Sequence, residues 1–284
     1  YLTRDDINPH ELLEISRHEI KKYGTQLVQS EVIKATRIET EKNDGSHFIV
    51  TDKEQNIYKC KRLLVATGLT DYLPEIQGFD DLYGKSIFHC PYCDAWEVRN
   101  KVIGVYAKNK NGFGLAMNML SWSNQVILFT DGRKYLRDHH RRTLEKYRVS
   151  INSDKISRLI GEKGKLKYIE FMNGKTQTCD ALFFVNGFKQ HCSIVTDLNC
   201  RLTSKGVVLS NKLQQTSVPG LYVAGDASKD MQFVVVAAAE GAKAAVAIHM
   251  DLQKDEREIP RKSSRQITPL PEKETGWIPA ESKK

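Results

Sequence analysis

Lys101-Val102-Ile103-Gly104-Val105-Tyr106 followed by Ala107-Lys108-Asn109-Lys110-Asn111-Gly112-Phe113-Gly114 sets the architecture of this chain. The first six residues read as a short apolar strand, and the next eight as a glycine-containing loop. An apolar helix follows, Leu115 to Trp122, and then a second strand, Gln125 to Phe129, closing in Thr130-Asp131-Gly132. Strand, glycine loop, helix and strand form the βαβ plan of a dinucleotide site. The loop departs from G-x-G-x-x-G, however. Lysines and asparagines stand where glycines would let a pyrophosphate approach the backbone. The pattern therefore predicts the fold and leaves the ligand, NADPH by position, in doubt because its loop is degenerate. Arg133, Lys134 and Arg137 lie just past the second strand, where the 2′-phosphate of NADP would be held; the other reading is the solvated start of a helix running to about Tyr147. His139 and His140 on that helix read as exposed.

Upstream stands His89-Cys90-Pro91-Tyr92-Cys93-Asp94. Two thiols separated by two residues can meet across one helical turn and close a small, easily reopened ring. Pro91 suits the first helical position, where its missing N–H costs nothing. Cys90 would then stand at a helix N-terminus, where unpaired amides and the dipole favour thiolate, with His89 adding to this if protonated. Thiolate is the form that dithiol–disulfide exchange needs. Half of a zinc site is the other reading, but Cys60, Cys179, Cys192 and Cys200 form no second CxxC. Unrelated buried thiols are a third.

Further upstream, His10 to Tyr23 carries Leu12, Leu13, Ile15 and Ile20 at helical spacing, and Gly24 stops it. Gln26 to Thr40, Ser46 to Asp52 and Ile57 to Cys60 predict a small β-meander, with Asn43-Asp44-Gly45 as a turn. Arg62 to Gly68 is an apolar run ending in Ala66-Thr67-Gly68, as in a parallel strand buried on both faces or an ordinary strand ending in a turn. Downstream, Val149–Asn152, Leu166–Met172, Ala181–Val185 and Val207–Leu209 read as strands. Gly220 to Asp226 is a strand delivering glycine and a carboxylate at its end; such a carboxylate can accept from a ribose or ribityl hydroxyl. An alanine-rich helix, Phe233 to Leu252, follows. From Asp255 to Lys284 the apolar content is too low for order.

The chain has 284 residues, a net charge of +8 and 6 cysteines. The cysteines are too sparse for a disulfide scaffold, which points to a reducing, cytoplasmic compartment and a catalytic pair. No apolar run is long enough to span a membrane, and no signal peptide is visible. Basic residues alternate with acids, and only Arg133 to Arg142 makes a basic stripe, so no nucleic-acid partner is expected.

Ala66-Thr67-Gly68, the CPYC motif, and Gly225-Asp226 followed by Gln232 and Ala237-Ala238-Ala239-Glu240-Gly241 resemble, in order and spacing, the low-molecular-weight thioredoxin reductase family of FAD-dependent disulfide oxidoreductases. The resemblance covers roughly residues 1 to 252 and looks closest to the branch that includes gliotoxin-type dithiol oxidases. It implies an α/β fold of two Rossmann-like FAD/NAD(P)-binding domains (three-layer ββα), one inserted in the other. Residues 1–86 and 190–254 would form the FAD domain, 87–189 the nicotinamide-type domain, and 255–284 a disordered tail. It further implies that Cys93 faces the flavin, that Cys90 exchanges with substrate, and that Asp94 serves as acid/base with His89 sharing the role. Gly225 and Asp226 would hold the FAD ribityl and pyrophosphate region, Ala66, Thr67 and Gly68 would line the cofactor, Gln232 would approach the ring, and Ala239 would belong to the same cofactor wall. A thioredoxin-like protein or a small dithiol or disulfide is the implied partner, and the assembly a homodimer. The family opens with a strand and G-x-G-x-x-G loop; this sequence starts after both, so it reads as N-terminally truncated. A non-catalytic remnant that binds a partner is the alternative function.

Overall fold

The structure is a computed structural model that describes residues 1–38, 47–228 and 231–258. The Asn43-Asp44-Gly45 turn and residues 259–284 lie outside the described residues. Helix α1 (Pro9–Lys21) starts with Pro9 in its first turn, and the Asn8 side chain accepts from the His10 amide at 2.9 Å. Its apolar stripe forms as the spacing predicts, yet none of its residues is buried. Strands β1 (Val32–Ile38), β2 (His47–Asp52) and β3 (Ile57–Cys60) make an antiparallel meander. Its first strand begins at Val32 rather than Gln26.

Strand β4 (Leu63–Val65) is shorter than the apolar run around it, and β5 (Leu69–Asp71) follows after the Gly68 turn. Then come α2 (Phe79–Leu82), β6 (Ile87–Phe88), α3 (Pro91–Asp94), β7 (Ile103–Ala107), α4 (Asn111–Met119), β8 (Val126–Phe129), α5 (Asp138–Lys146) and β9 (Ser150–Asn152). Helix α4 begins at Asn111, four residues earlier than Leu115, because the residues read as the end of a glycine loop are already its first turn. Helix α5 begins at Asp138, so Arg133 and Lys134 lie in the loop before it. Strands β10 (Ile156–Glu162), β11 (Lys165–Phe171) and β12 (Thr176–Thr178) form a second antiparallel sheet. Strand β13 (Ala181–Val185) returns to the middle of a parallel sheet ordered β6-β13-β7-β8-β9.

The parallel sheet is buried on both faces. Along β13, Ala181 and Phe183 face α4 and α5, joining Ile103, Val105, Ala116, Met119, Val126, Leu128 and Leu144. Leu182 and Phe184 face the other way, against Ile156, Leu159, Ile169 and Phe171 of the antiparallel sheet. The strand period of two thus divides each strand between two cores, giving an antiparallel sheet, a parallel sheet and helices in three layers. Phe79 and Leu82 of α2 pack into the inter-sheet core.

The chain then runs back through β14 (Phe188–Gln190), which pairs antiparallel with β5, and α6 (Ile194–Asp197). Strand β15 (Leu221–Val223) pairs parallel with β4, Val223 opposite Val65. Val208 of the segment read as a strand forms only isolated bridges, to Leu202 and Ser228. A third core joins the meander, β4, β15 and α6 through Phe48, Val65, Val195, Leu198 and Val223. The long helix α7 (Val234–Glu258) runs six residues past Leu252. The expected disorder from Asp255 is therefore overturned as far as Glu258. The Arg62 guanidinium, its side chain 7% exposed, holds Asp251 at 2.7 Å and Asp255 at 2.9 Å, tying the last turns of α7 to the start of β4.

Candidate redox site

Strand β6 is held by β13, Ile87 opposite Leu182 and Phe88 opposite Phe183. The chain leaves that edge at His89, and Cys90 becomes the N-cap of α3 with Pro91 at its first position. Cys90 and Cys93 form a disulfide, their Cα atoms 5.4 Å apart. The placement is the one the spacing predicts, but α3 is a single turn, so few peptide dipoles align behind Cys90. The Cys90 side chain accepts no capping hydrogen bond, and the Cys93 amide donates instead to the Cys90 carbonyl at 3.3 Å. Behind the motif Ala95 and Val98 are buried, while Tyr92 and Trp96 stand exposed on its open side. Tyr92 meets Trp122 edge-on at 5.7 Å, and the Arg99 guanidinium lies 4.1 Å from the Trp96 ring centroid.

His89 lies among carboxylates from three separate parts of the chain. Its Nδ1 is 3.3 Å from Asp71 Oδ2 at the end of β5, and the Tyr83 hydroxyl donates to that same oxygen. Burial pushes the Asp94 carboxyl above the ordinary range; His89 pulls it down and Glu97 adds to the rise. Asp226 is likewise raised, chiefly by burial, with His89 opposing and Asp71 and Glu240 reinforcing. The fold thus brings the CxxC turn within electrostatic reach of the Gly225–Asp226 corner. Asp71 and Tyr83 had no signal in the sequence: one ends a three-residue strand, the other follows a single-turn helix.

The corner itself is made by two parallel strand ends. Ala224 donates to the Val65 carbonyl at 3.1 Å, so Ala66-Thr67-Gly68 and Gly225-Asp226 emerge side by side. Gly68 and Gly225 take left-handed conformations, φ +71° and +72°, which a side chain would strain. Glu240, only 4% exposed, accepts from the Gly225 amide at 2.8 Å and from Ser228 Oγ, fastening the turn to α7. The Asp226 carboxylate makes no hydrogen bond among the described residues and is half-buried, as an acceptor for a ribityl or ribose hydroxyl should be. No heavy atom lies within 4 Å of the place a Gly68 side chain would take. Val234, Val235 and Ala239 present exposed apolar surface at the start of α7, and Gln232 is half-buried just before it. An acceptor carboxylate, open space beside Gly68 and an apolar helix start can together receive a hydroxyl-bearing chain and a flat ring.

His191 and Cys192, which had no assigned role, lie on the same wall: the Cys192 thiol donates to Thr67 Oγ1 at 3.6 Å, and His191 Nδ1 is 2.9 Å from Thr70 Oγ1. Burial pushes the Cys60 and Cys200 thiols up, and Cys179 up to about 12, which keeps these three inert at neutral pH. Among the described residues no group of three or more His, Cys, Asp or Glu could hold a metal ion. A cavity of about 500 Å³ lined by Ala35, Arg37, Asp197, Ser217 and Pro219 involves none of these residues. No helix among the described residues is long and apolar enough to cross a membrane.

The sequence pattern of the pyridine nucleotide-disulphide oxidoreductases matches residues 4–241. This chain belongs to that family. A probable thioredoxin reductase of Arthroderma benhamiae is 28% identical to it, over 90% of this chain and 70% of the relative. The crystal structure of HlmI superposes with a TM-score of 0.85 at 30% identity, covering 91% of this chain and 80% of that one. A putative thioredoxin reductase TrxB from Bacillus anthracis superposes at 0.83 with 29% identity, covering 90% and 85%. The fold is the α/β FAD/NAD(P)-binding fold with parallel sheets. Within the family the chain is thioredoxin reductase-like, and its class is that of flavin-dependent oxidoreductases acting on a sulfur group.

Proposed function

We propose that this oxidoreductase exchanges two electrons between an external dithiol or disulfide and FAD through the Cys90–Cys93 pair. The observation that carries the reading is the Cys90–Cys93 disulfide, capping a helix beside the His89, Asp71, Asp94 and Asp226 cluster. Residues 87–189 act as the nicotinamide-type insertion, and 1–86 with 190–254 as the flavin domain. Ala66, Thr67, Gly68, Gly225, Asp226, Gln232 and Ala239 hold the flavin, which when bound supplies two-electron exchange with the cysteine pair.

The thiol chemistry balances within the chain and its substrate. A substrate thiolate attacks Cys90 Sγ, forming a mixed disulfide as Cys93 leaves as thiolate. The second substrate thiolate attacks the substrate sulfur of that bond, releasing Cys90 thiolate and the substrate disulfide. Two protons leave the substrate, and in this reading Asp94 and His89 take them. Asp71, with Tyr83 behind it, orients His89 through Nδ1. The reverse steps reduce a disulfide. Partner chemistry is that of a thioredoxin-like protein or a small dithiol; the assembly is a homodimer and the compartment the cytoplasm, on the family resemblance.

Substituting Cys90→Ser is expected to abolish turnover of dithiol and disulfide substrates by the flavin-loaded protein while leaving its visible flavin spectrum in place. Unchanged turnover sinks the mechanism, and a chain that stays colourless with added FAD favours a non-catalytic role.

A further inference from the structure

A dinucleotide-binding βαβ unit meets its ligand at two kinds of place. The helix's first amides, behind a glycine turn, take the pyrophosphate, and an acid at the end of the second strand takes a ribose hydroxyl. Strand β7, helix α4 and strand β8 make that unit here. Its packing requirement is kept: a Cβ on Gly112 would lie 2.5 Å from Ala107 Cβ and 2.6 Å from the Tyr135 hydroxyl.

The ligand-facing positions are already used. Asp131 follows β8 and stands where the ribose acid belongs. Lys108 Nζ lies 2.8 Å from its Oδ2, the Tyr106 hydroxyl donates to that same oxygen at 3.1 Å, and the Ile156 amide donates to Oδ1 at 2.9 Å. Three of a carboxylate's roughly four acceptor directions are thereby filled. The Lys108 ammonium also lies 5.7 Å from the Tyr106 ring centroid. At the helix start, the Asn111 amide donates to the Asn109 side chain at 2.9 Å and the Gly112 amide to the Asn109 carbonyl at 3.1 Å. Those are the amides a pyrophosphate would need.

We infer that the nucleotide crevice of this chain is closed by its own side chains, Lys108 standing in for the ribose and Asn109 for the pyrophosphate, so that neither NADPH nor NADH docks there. NADPH does not fit the residues present. Arg133, Lys134 and Arg137 supply positive charge at the rim without an open seat behind it. The inference rests on reading residues 87–189 as a nicotinamide-type unit, and it deepens the proposed activity. The electron source left to the Cys90–Cys93 disulfide is an external dithiol, oxidised to its disulfide as the pair is reduced to two thiols.

The test is direct binding, which needs no turnover. The full chain supplemented with FAD is titrated with NADPH, and separately NADH, by calorimetry up to roughly 1 mM, a range that reports interactions as weak as about 4 kcal/mol. The expected result is no saturable heat from the native sequence, and saturable NADPH binding at least roughly tenfold tighter after Lys108→Gly with Asn109→Gly. Lys108→Met, which keeps the stem and removes the charge, carries the same expectation of gained binding should the glycine pair melt the loop. Saturable binding by the native sequence overturns the closure, and so do opened variants with native circular dichroism that gain none. A chain that refuses NADPH but turns over no dithiol leaves the closure standing and removes only the thiol-exchange reading.

Discussion

Asp94 and Asp226 show how two carboxylates near one histidine are set by burial first and by neighbouring charge second. Both are raised, so each binds its proton more tightly in the folded chain than in the unfolded one. A group of this kind stabilises fully below the unfolded carboxylate value, near 4, and loses that contribution as pH rises through the folded value. Asp94→Asn removes the penalty. It should raise the melting temperature at neutral pH relative to the native chain while flattening stability over the weakly acidic range. If Asp94 holds the substrate proton, turnover falls by about 10²–10⁴ in the same variant. Thermal melts across pH, set beside steady-state rates, check both halves; unchanged turnover would remove Asp94 from the proton path. Neither shift could be read from the sequence, because the burial of a carboxylate depends on what the fold packs over it. The motif's position as a helix cap was legible, since proline and cysteine spacing act locally.

At the scale of elements, α7 is fixed at both ends by single side chains. Glu240 ties its first turns to the Gly225 corner, and Arg62 ties its last turns to β4. Burial pushes the Asp251 carboxyl up, but Arg62 and the Tyr222 hydroxyl outweigh it and hold it below the ordinary range. That contribution is present above the unfolded carboxylate value and is lost as pH falls through the lower folded value. Arg62→Ala leaves two carboxylates without their partner and should cost about 3–5 kcal/mol in urea unfolding, with a smaller loss of stability on acidification than the native chain shows. A cost under about 1 kcal/mol would mean that the pair behaves as a surface ion pair. The helix was legible from its alanines, but its end was not. Charges and polar residues from Asp255 onward suggested disorder, whereas a guanidinium 193 residues away in sequence supplies the anchor.

For the molecule as a whole, the parallel sheet between two cores leaves no slack in layer spacing. Gly104 of β7 faces the inter-sheet core, and a Cβ there would lie 2.7 Å from Leu182 Cδ1, 2.8 Å from Phe129 Cε2 and 2.9 Å from Cys179 Sγ. Gly104→Ala should therefore destabilise by about 1–3 kcal/mol through overpacking, read as a lower urea midpoint; a neutral result would show that the layers can part. By itself the sequence determined the Cys90–Cys93 pair, its place at a helix start, and the short apolar strands, because spacing and apolar runs act over a few neighbouring residues. Only the tertiary structure decided that Asp71 and Asp226 gather round His89, and that Lys108 is captured by Asp131. Those encounters join residues on different elements, and their energies depend on distance and burial that no local pattern encodes.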